Sequence, residues 1–283
     1  MSISAKTFPI WGFFSLVTNG LLMLAIILLI WQQQRLSNIV VPPTADTASE
    51  PEVTKPELGP RHQLNYQQWV EILKSEAKVA AQKPPQHLSI LAGDSLSLWF
   101  PSELLPENRY WLNQAISGET SEGLLKRLNL FDRTQPQVIF VMIGINDLIR
   151  GVSDEIILEN QRQIIRYLRR AHPTAQIFVQ SILPHGGEES TWEGRERLLA
   201  IANNRIQQLN QQLQTIATIQ GVKYLDLYPL FANQEGNLRR EFTTDGLHLS
   251  PEGYMVWRTA LQIYSHQELE PQPQQNNKDK LKI

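Results

Sequence analysis

The sequence predicts an α/β protein: a parallel sheet with helices packed on both of its faces. Three observations carry this prediction: five short apolar runs, amphipathic runs between them, and polar, often glycine-containing clusters just after several of the apolar runs. Continuous short apolar runs are the mark of strands covered on both faces. Strands separated by helices need crossover connections, and those connections make the sheet parallel.

Taken in chain order, Tyr66 to Ala81 predicts a helix ahead of the sheet. Strands are expected at Leu88 to Ala92, Tyr110 to Leu112, Val138 to Ile143, Ile177 to Gln180 and Val222 to Leu227. Between the third and fourth, Ile157, Ile164 and Leu168 recur at helical spacing. Between the fourth and fifth, Leu198, Ala202, Ile206, Leu209, Leu213 and Ile216 predict one long helix, with Gly221 placed to stop it. The Gln-rich stretch Gln207 to Gln214 reads as the polar face of that helix, and no internal repeat is evident.

The folded domain is expected over residues 61–267. Ahead of it, residues 1–9 form a short N-terminal segment. Ile10 to Trp31 then carries no charge and spans about 33 Å as a helix at 1.5 Å per residue, enough for a bilayer core. It is read as a single transmembrane anchor, with Trp11 and Trp31 at the positions of interfacial aromatics. A cleaved leader is the competing reading, since Asn19-Gly20 interrupts the run, but no small-x-small cleavage site follows closely. Lys6 and the terminal amine before the helix, against Arg35 after it, bias the N-terminus inward and the domain toward the periplasm or cell exterior. Residues 32–60, with prolines at 42, 43, 51, 56 and 60, read as a flexible tether. Residues 268–283, rich in Gln, Asn, Lys and Pro, read as a disordered tail.

Composition excludes several classes. With 26 basic and 28 acidic residues and no long single-sign block, the chain lacks the footprint of a nucleic-acid binder. The absence of cysteine removes disulfides, thiolate metal sites and a cysteine nucleophile. No HExxH or similar ligand spacing appears, so neither metal nor cofactor is expected. Through the N-terminal helix, the membrane is an expected partner.

In open parallel sheets, sites form beyond the carboxyl ends of the strands. Four polar clusters fall there: Gly93-Asp94-Ser95, Ser117-Gly118-Glu119-Thr120, Gly144-Ile145-Asn146-Asp147, and Asp245-Gly246-Leu247-His248 ahead of the final helix. Together they offer a serine, a histidine and a carboxylate. A hydroxyl is a weak nucleophile at neutral pH and needs a base, which in turn needs a group to hold its tautomer. Taken alone, Ser95 reads equally well as a helix cap and Asn146 as a turn residue. Asp94 and Asp147 are expected to cap or brace loops. His62, His87, His172 and His266 read as surface residues. His185 and Trp192 lie in the flexible loop Pro184 to Trp192, a possible substrate loop, in which Trp192 also reads as an apolar anchor.

The runs GDSL, GIND and DGLHLSPEGY make residues 88–264 resemble the SGNH hydrolases, the GDSL esterase and lipase family. That resemblance implies a three-layer α/β/α sandwich with a five-stranded, flavodoxin-like parallel sheet. It also implies Ser95 as nucleophile, His248 as base, Asp245 as its orienting carboxylate, and an oxyanion hole of the Ser95 and Gly118 amides with the Asn146 side chain. The chain departs from the pattern at Trp99 and Ala115, where relatives often carry glycine, which implies a pocket of different width. A membrane-anchored ester hydrolase is the leading functional reading. An O-acyltransferase acting on envelope glycans through the same acyl-enzyme, and a non-catalytic envelope-binding module, remain open beside it. Lipid acyl esters and acetylated polysaccharide are equally open as substrates.

Overall fold

The computed structural model describes residues 64–269, and side chains to Ile263. The anchor and tether expected at 10–31 and 32–60 lie outside the described residues, as does the tail expected at 268–283 except for Glu268 and Leu269, which end a helix instead. Among those described, no helix is long and apolar enough to cross a membrane.

Helix α1 (Tyr66–Gln82) starts where Asn65 and Gln68 exchange side-chain and backbone hydrogen bonds in a capping box. The sheet follows: β1 (Leu88–Gly93), β2 (Tyr110–Ala115), β3 (Val138–Met142), β4 (Gln176–Gln180) and β5 (Lys223–Leu225). All neighbours pair parallel in the order β2-β1-β3-β4-β5. The order reverses between β1 and β3, and this switch point is where open α/β sheets leave a crevice.

Alternation along the strands explains the layers. Leu91, Phe140 and Phe178 point to one face, where they meet Tyr254, Trp257 and Leu261 of the C-terminal helix α9 (Pro251–Leu269). Their neighbours Ile90, Ala92, Ile139, Val141 and Ile177 point to the other. There they pack on α1, on α3 (Ser121–Arg127) and on α5 (Asp154–Ala171). Val179 joins α5 and α7 (Asn203–Ile219) in a third apolar cluster. Strands buried on both faces are therefore apolar throughout.

Three elements depart from expectation by two residues or more. β2 runs on through Asn113 to Ala115, because the polar side chains find partners: Asn113 Nδ2 donates to Ser97 O (2.6 Å) and Gln114 Nε2 to Leu73 O (3.2 Å). β5 ends early, since the amides of Leu227 and Tyr228 turn to the Ser181 hydroxyl at 2.8 and 2.9 Å. The single helix expected from Leu198 to Ile216 is two, α6 (Arg195–Leu199) and α7, because Ala202 is extended (ψ 132°) and exposed. Gly221 ends α7 as expected, at φ +65°.

Candidate active site

Ser95 opens the one-turn helix α2 (Ser95–Leu98) immediately after β1 and is almost buried. Gly93 makes the tight approach possible: a Cβ there would stand 2.3 Å from Met142 O of β3 and 2.6 Å from Ser97 Oγ. Asp94 caps the turn, its Oδ1 accepting from Leu96 N at 3.0 Å. The Asp94 carboxyl is fully enclosed, and burial pushes it up to about 7 even though the Leu96 amide and the nearby His248 act in the opposite sense. The Ser95 amide, at the start of the turn, has no intrahelical acceptor.

The second half of the site is the turn before α9. The Asp245 carboxylate accepts from the backbone amides of Leu247 and His248 through Oδ1 (2.9 and 2.8 Å), while Oδ2 lies 2.7 Å from His248 Nδ1. Burial alone would raise this carboxyl, but the bonds from the His248 ring and from both amides outweigh it and hold the group below its ordinary value. With Nδ1–H donating to Asp245, the lone pair of the imidazole sits on Nε2. Gly246 adopts φ +90° between them, a conformation that favours glycine.

These two halves are fastened together. The His248 ring packs on Trp99, at 4.3 Å between centroids, and Trp99 lies four residues beyond Ser95. Tyr254 Oη donates to Leu96 O (3.0 Å), and Phe100 packs on both Tyr254 and Trp257. Trp99 itself remains half exposed. Among the hydrogen bonds of the described residues, none joins Ser95 Oγ directly to His248. The link between α2 and the Asp245 turn runs instead through the packing of Trp99 and α9.

Gly118 follows β2 at φ +73°, and its carbonyl accepts from Arg150 Nη2 at 2.7 Å. Asn146 stands in the first turn of α4 (Ile145–Ile149), behind Gly144 at φ +136°. Its Nδ2 is enclosed and has no hydrogen-bond partner. A buried donor without an acceptor is rare enough to need a reason. The neighbouring acids brace loops, as expected. Besides Asp94 on α2, the buried Asp147 accepts from Ser121 N (2.8 Å) and Ser121 Oγ (2.6 Å), which ties the start of α3 to α4.

Other expectations need correction. His185 does not face an open substrate loop: it is buried, with Nε2 at 2.6 Å from Ile201 O and Nδ1 accepting from Gly187 N at 3.1 Å. Trp192 takes the anchor reading offered beside the substrate one: it is partly buried against the α5–α7 cluster, with Arg197 over its ring. His172 is not a surface residue either, because its ring stacks on Phe131 and is buried there. His87 is exposed, while His62 and the side chain of His266 lie outside the described residues. No group of three or more His, Cys, Asp or Glu among the described residues is placed to hold a metal.

The sequence reading missed a buried ion pair behind Gly118. Arg127 Nε meets Glu119 Oε2 at 2.6 Å, Nη1 donates to Gln114 O (2.7 Å) and Nη2 to Gly93 O (3.3 Å). One guanidinium thus ties the ends of β1 and β2 to the Gly118 turn. No local pattern announces it, since its partners come from three segments.

Comparison with known proteins supports the fold. The GDSL-like lipase/acylhydrolase family matches residues 89–256. The solved candidate platelet activating factor of Streptococcus pneumonia is 28% identical with a TM-score of 0.63, covering 70% of this chain and 93% of that one. A GDSL-like lipase of Bacteroides thetaiotaomicron shares the fold at 17% identity and a TM-score of 0.60, over 70% of this chain and 97% of its own. Among curated relatives, an N-acylneuraminate cytidylyltransferase of Streptococcus agalactiae is 27% identical over 175 residues, 62% of this chain. The match spans 38% of that relative's length. The chain belongs to the GDSL-like lipase/acylhydrolase family, within the SGNH hydrolases.

Proposed function

We propose that the chain is a serine ester hydrolase that cleaves acyl or acetyl esters through Ser95, His248 and Asp245. The observation that carries this reading is the 2.7 Å contact of His248 Nδ1 with Asp245, in a ring that packs on Trp99, the residue that caps the helix bearing Ser95. Asp245 fixes the tautomer that leaves Nε2 free to take a proton. As Ser95 Oγ attacks the ester carbonyl, its proton passes to Nε2 and the carbonyl oxygen becomes an oxyanion. The Ser95 and Gly118 amides and Asn146 Nδ2 are the donors assigned to that oxygen. The unpartnered Asn146 amide supports this, because a donor with no acceptor in the resting fold has its bond to spare for an oxyanion. His248 then protonates the leaving alcohol. Water, activated by the same ring, releases the acid from the acyl-enzyme and restores the serine.

The named activity of the curated relatives concerns an acylated sugar, but cytidylyl transfer has no counterpart in this group of residues. Acylated sugars and lipid acyl esters are the two substrate classes that the reading carries. Ser95→Ala should lose nearly all turnover of p-nitrophenyl acetate, and the wild-type chain should form a stable adduct with a serine-directed phosphonate. Wild-type rates in the Ser95→Ala protein would end the assignment. Rates across p-nitrophenyl esters of increasing chain length separate the classes, with acetyl preference pointing to sugar deacetylation.

A further inference from the structure

The loop from Pro184 to Trp192 is built into the support of the Asp245 turn. Three of its backbone amides donate to that turn: Gly186 N to Gly246 O (2.8 Å), and Thr191 N and Trp192 N to Asp245 O (2.8 and 2.9 Å). A Cβ on Gly246 would fall 2.3 to 2.7 Å from atoms of Ser190, so the two segments touch without space between them.

His185 holds the other end of this bracket. Its backbone amide donates to Asn203 Oδ1 (3.0 Å), and its carbonyl accepts from Asn203 Nδ2 (2.9 Å) and from Leu238 N (3.0 Å). The ring adds two more bonds, from Nε2–H to Ile201 O and from Gly187 N–H to Nδ1. Those bonds require the neutral ring protonated on Nε2, and burial favours the neutral form. Every polar group of His185 is therefore engaged, and the bond to Gly187 sets the corner from which the Gly186 amide reaches Gly246.

We propose that His185 is a positioning residue for the Asp245–His248 pair: its ring fixes the loop that clamps the Asp245 backbone, and hence the angle at which the carboxylate holds His248. This rests on the hydrolase reading above. A loosened bracket would leave substrate contacts intact and misalign the base, so the effect belongs in kcat. Misplacement by about an ångström costs up to roughly a hundredfold.

The test is made in the full chain with p-nitrophenyl acetate. His185→Ala should lower kcat about ten- to a hundredfold with KM little changed. The low-field proton resonance of the Asp245–His248 hydrogen bond should broaden or shift at the same time. His185→Asn, which keeps an acceptor near the position of Nδ1 for Gly187 N–H, should recover most of the loss. Thr191→Pro serves if the alanine variant fails to fold, because it deletes one amide bond to Asp245 O at an exposed position preceded by an extended Ser190 (ψ 134°), which proline accepts. It should reproduce the kcat loss and the altered resonance. A folded His185→Ala or Thr191→Pro protein with wild-type kcat and an unchanged resonance overturns the proposal. Turnover surviving in Ser95→Ala instead overturns the hydrolase reading, so the two failures are distinguishable.

Discussion

Asp94 sits one residue before the serine, fully enclosed, with Oδ1 on the Leu96 amide and Oδ2 without a partner. Burial raises its carboxyl to about 7, so between the ordinary carboxylate range and neutrality the folded state holds a proton that the unfolded chain has released. Stability should therefore fall as pH rises from about 4 to 7, the sign expected when the native state binds more protons. Burial raises Asp147 and Asp226 as well, and both contribute in the same direction. Asp94→Asn keeps the capping oxygen and removes the titration. Thermal melts across pH should show a shallower decline for the variant and a higher Tm than wild type at pH 8. Parallel curves would show that Asp94 titrates at its ordinary value. At this scale the cap carries a cost: a carboxyl enclosed one residue before the serine loses stability as it ionises toward neutral pH.

Between elements, the Arg127–Glu119 pair joins the ends of β1 and β2, the Gly118 turn and α3, and Tyr66 Oη of α1 adds a donor to the same carboxylate at 3.3 Å. Removing one partner of a buried pair leaves an uncompensated charge. Arg127→Met should destabilise by about 3–5 kcal/mol in urea denaturation, whereas Arg127→Met with Glu119→Leu should recover much of that loss. Equal destabilisation in both proteins would show that the backbone bonds to Gln114 and Gly93 dominate over the charge. Such cross-element contacts mark the boundary of what sequence discloses. The strands are legible because burial on both faces demands apolar runs, and the proposed site residues Ser95, Gly118, Asn146, Asp245 and His248 stand out in the sequence because each follows a strand or shares a short motif. β2 was read too short because Asn113 and Gln114 look like an ending until Ser97 O and Leu73 O appear beside them. The α6–α7 break was hidden because Leu198, Ala202 and Ile206 keep a four-residue spacing across it. His185 and His172 were misread for the same reason, as their partners at Ile201, Gly187 and Phe131 are set by the fold.

In the whole molecule, the order β2-β1-β3-β4-β5 gathers the ends of β1, β2 and β3 at one rim, and α9 brings the Asp245 turn to it. The residues that carry the proposed chemistry all lie within 93–248 of the sequence. That placement shapes the proposal for location. The whole chain carries a formal charge of -2, from 26 basic and 28 acidic residues, so its net charge gives little electrostatic attraction for anionic lipid. We propose that membrane retention comes from the uncharged run Ile10 to Trp31. We therefore expect the full chain to sediment with membranes, to resist high salt and alkaline carbonate, and to be released by detergent. A chain starting at residue 41 should remain in the supernatant with kcat/KM on p-nitrophenyl acetate unchanged, because a small water-soluble ester reaches the site without help from the bilayer. Release of the full chain by salt alone would mean surface adsorption in place of an anchor. Loss of residues 1–40 from the full chain during expression would identify a cleaved leader.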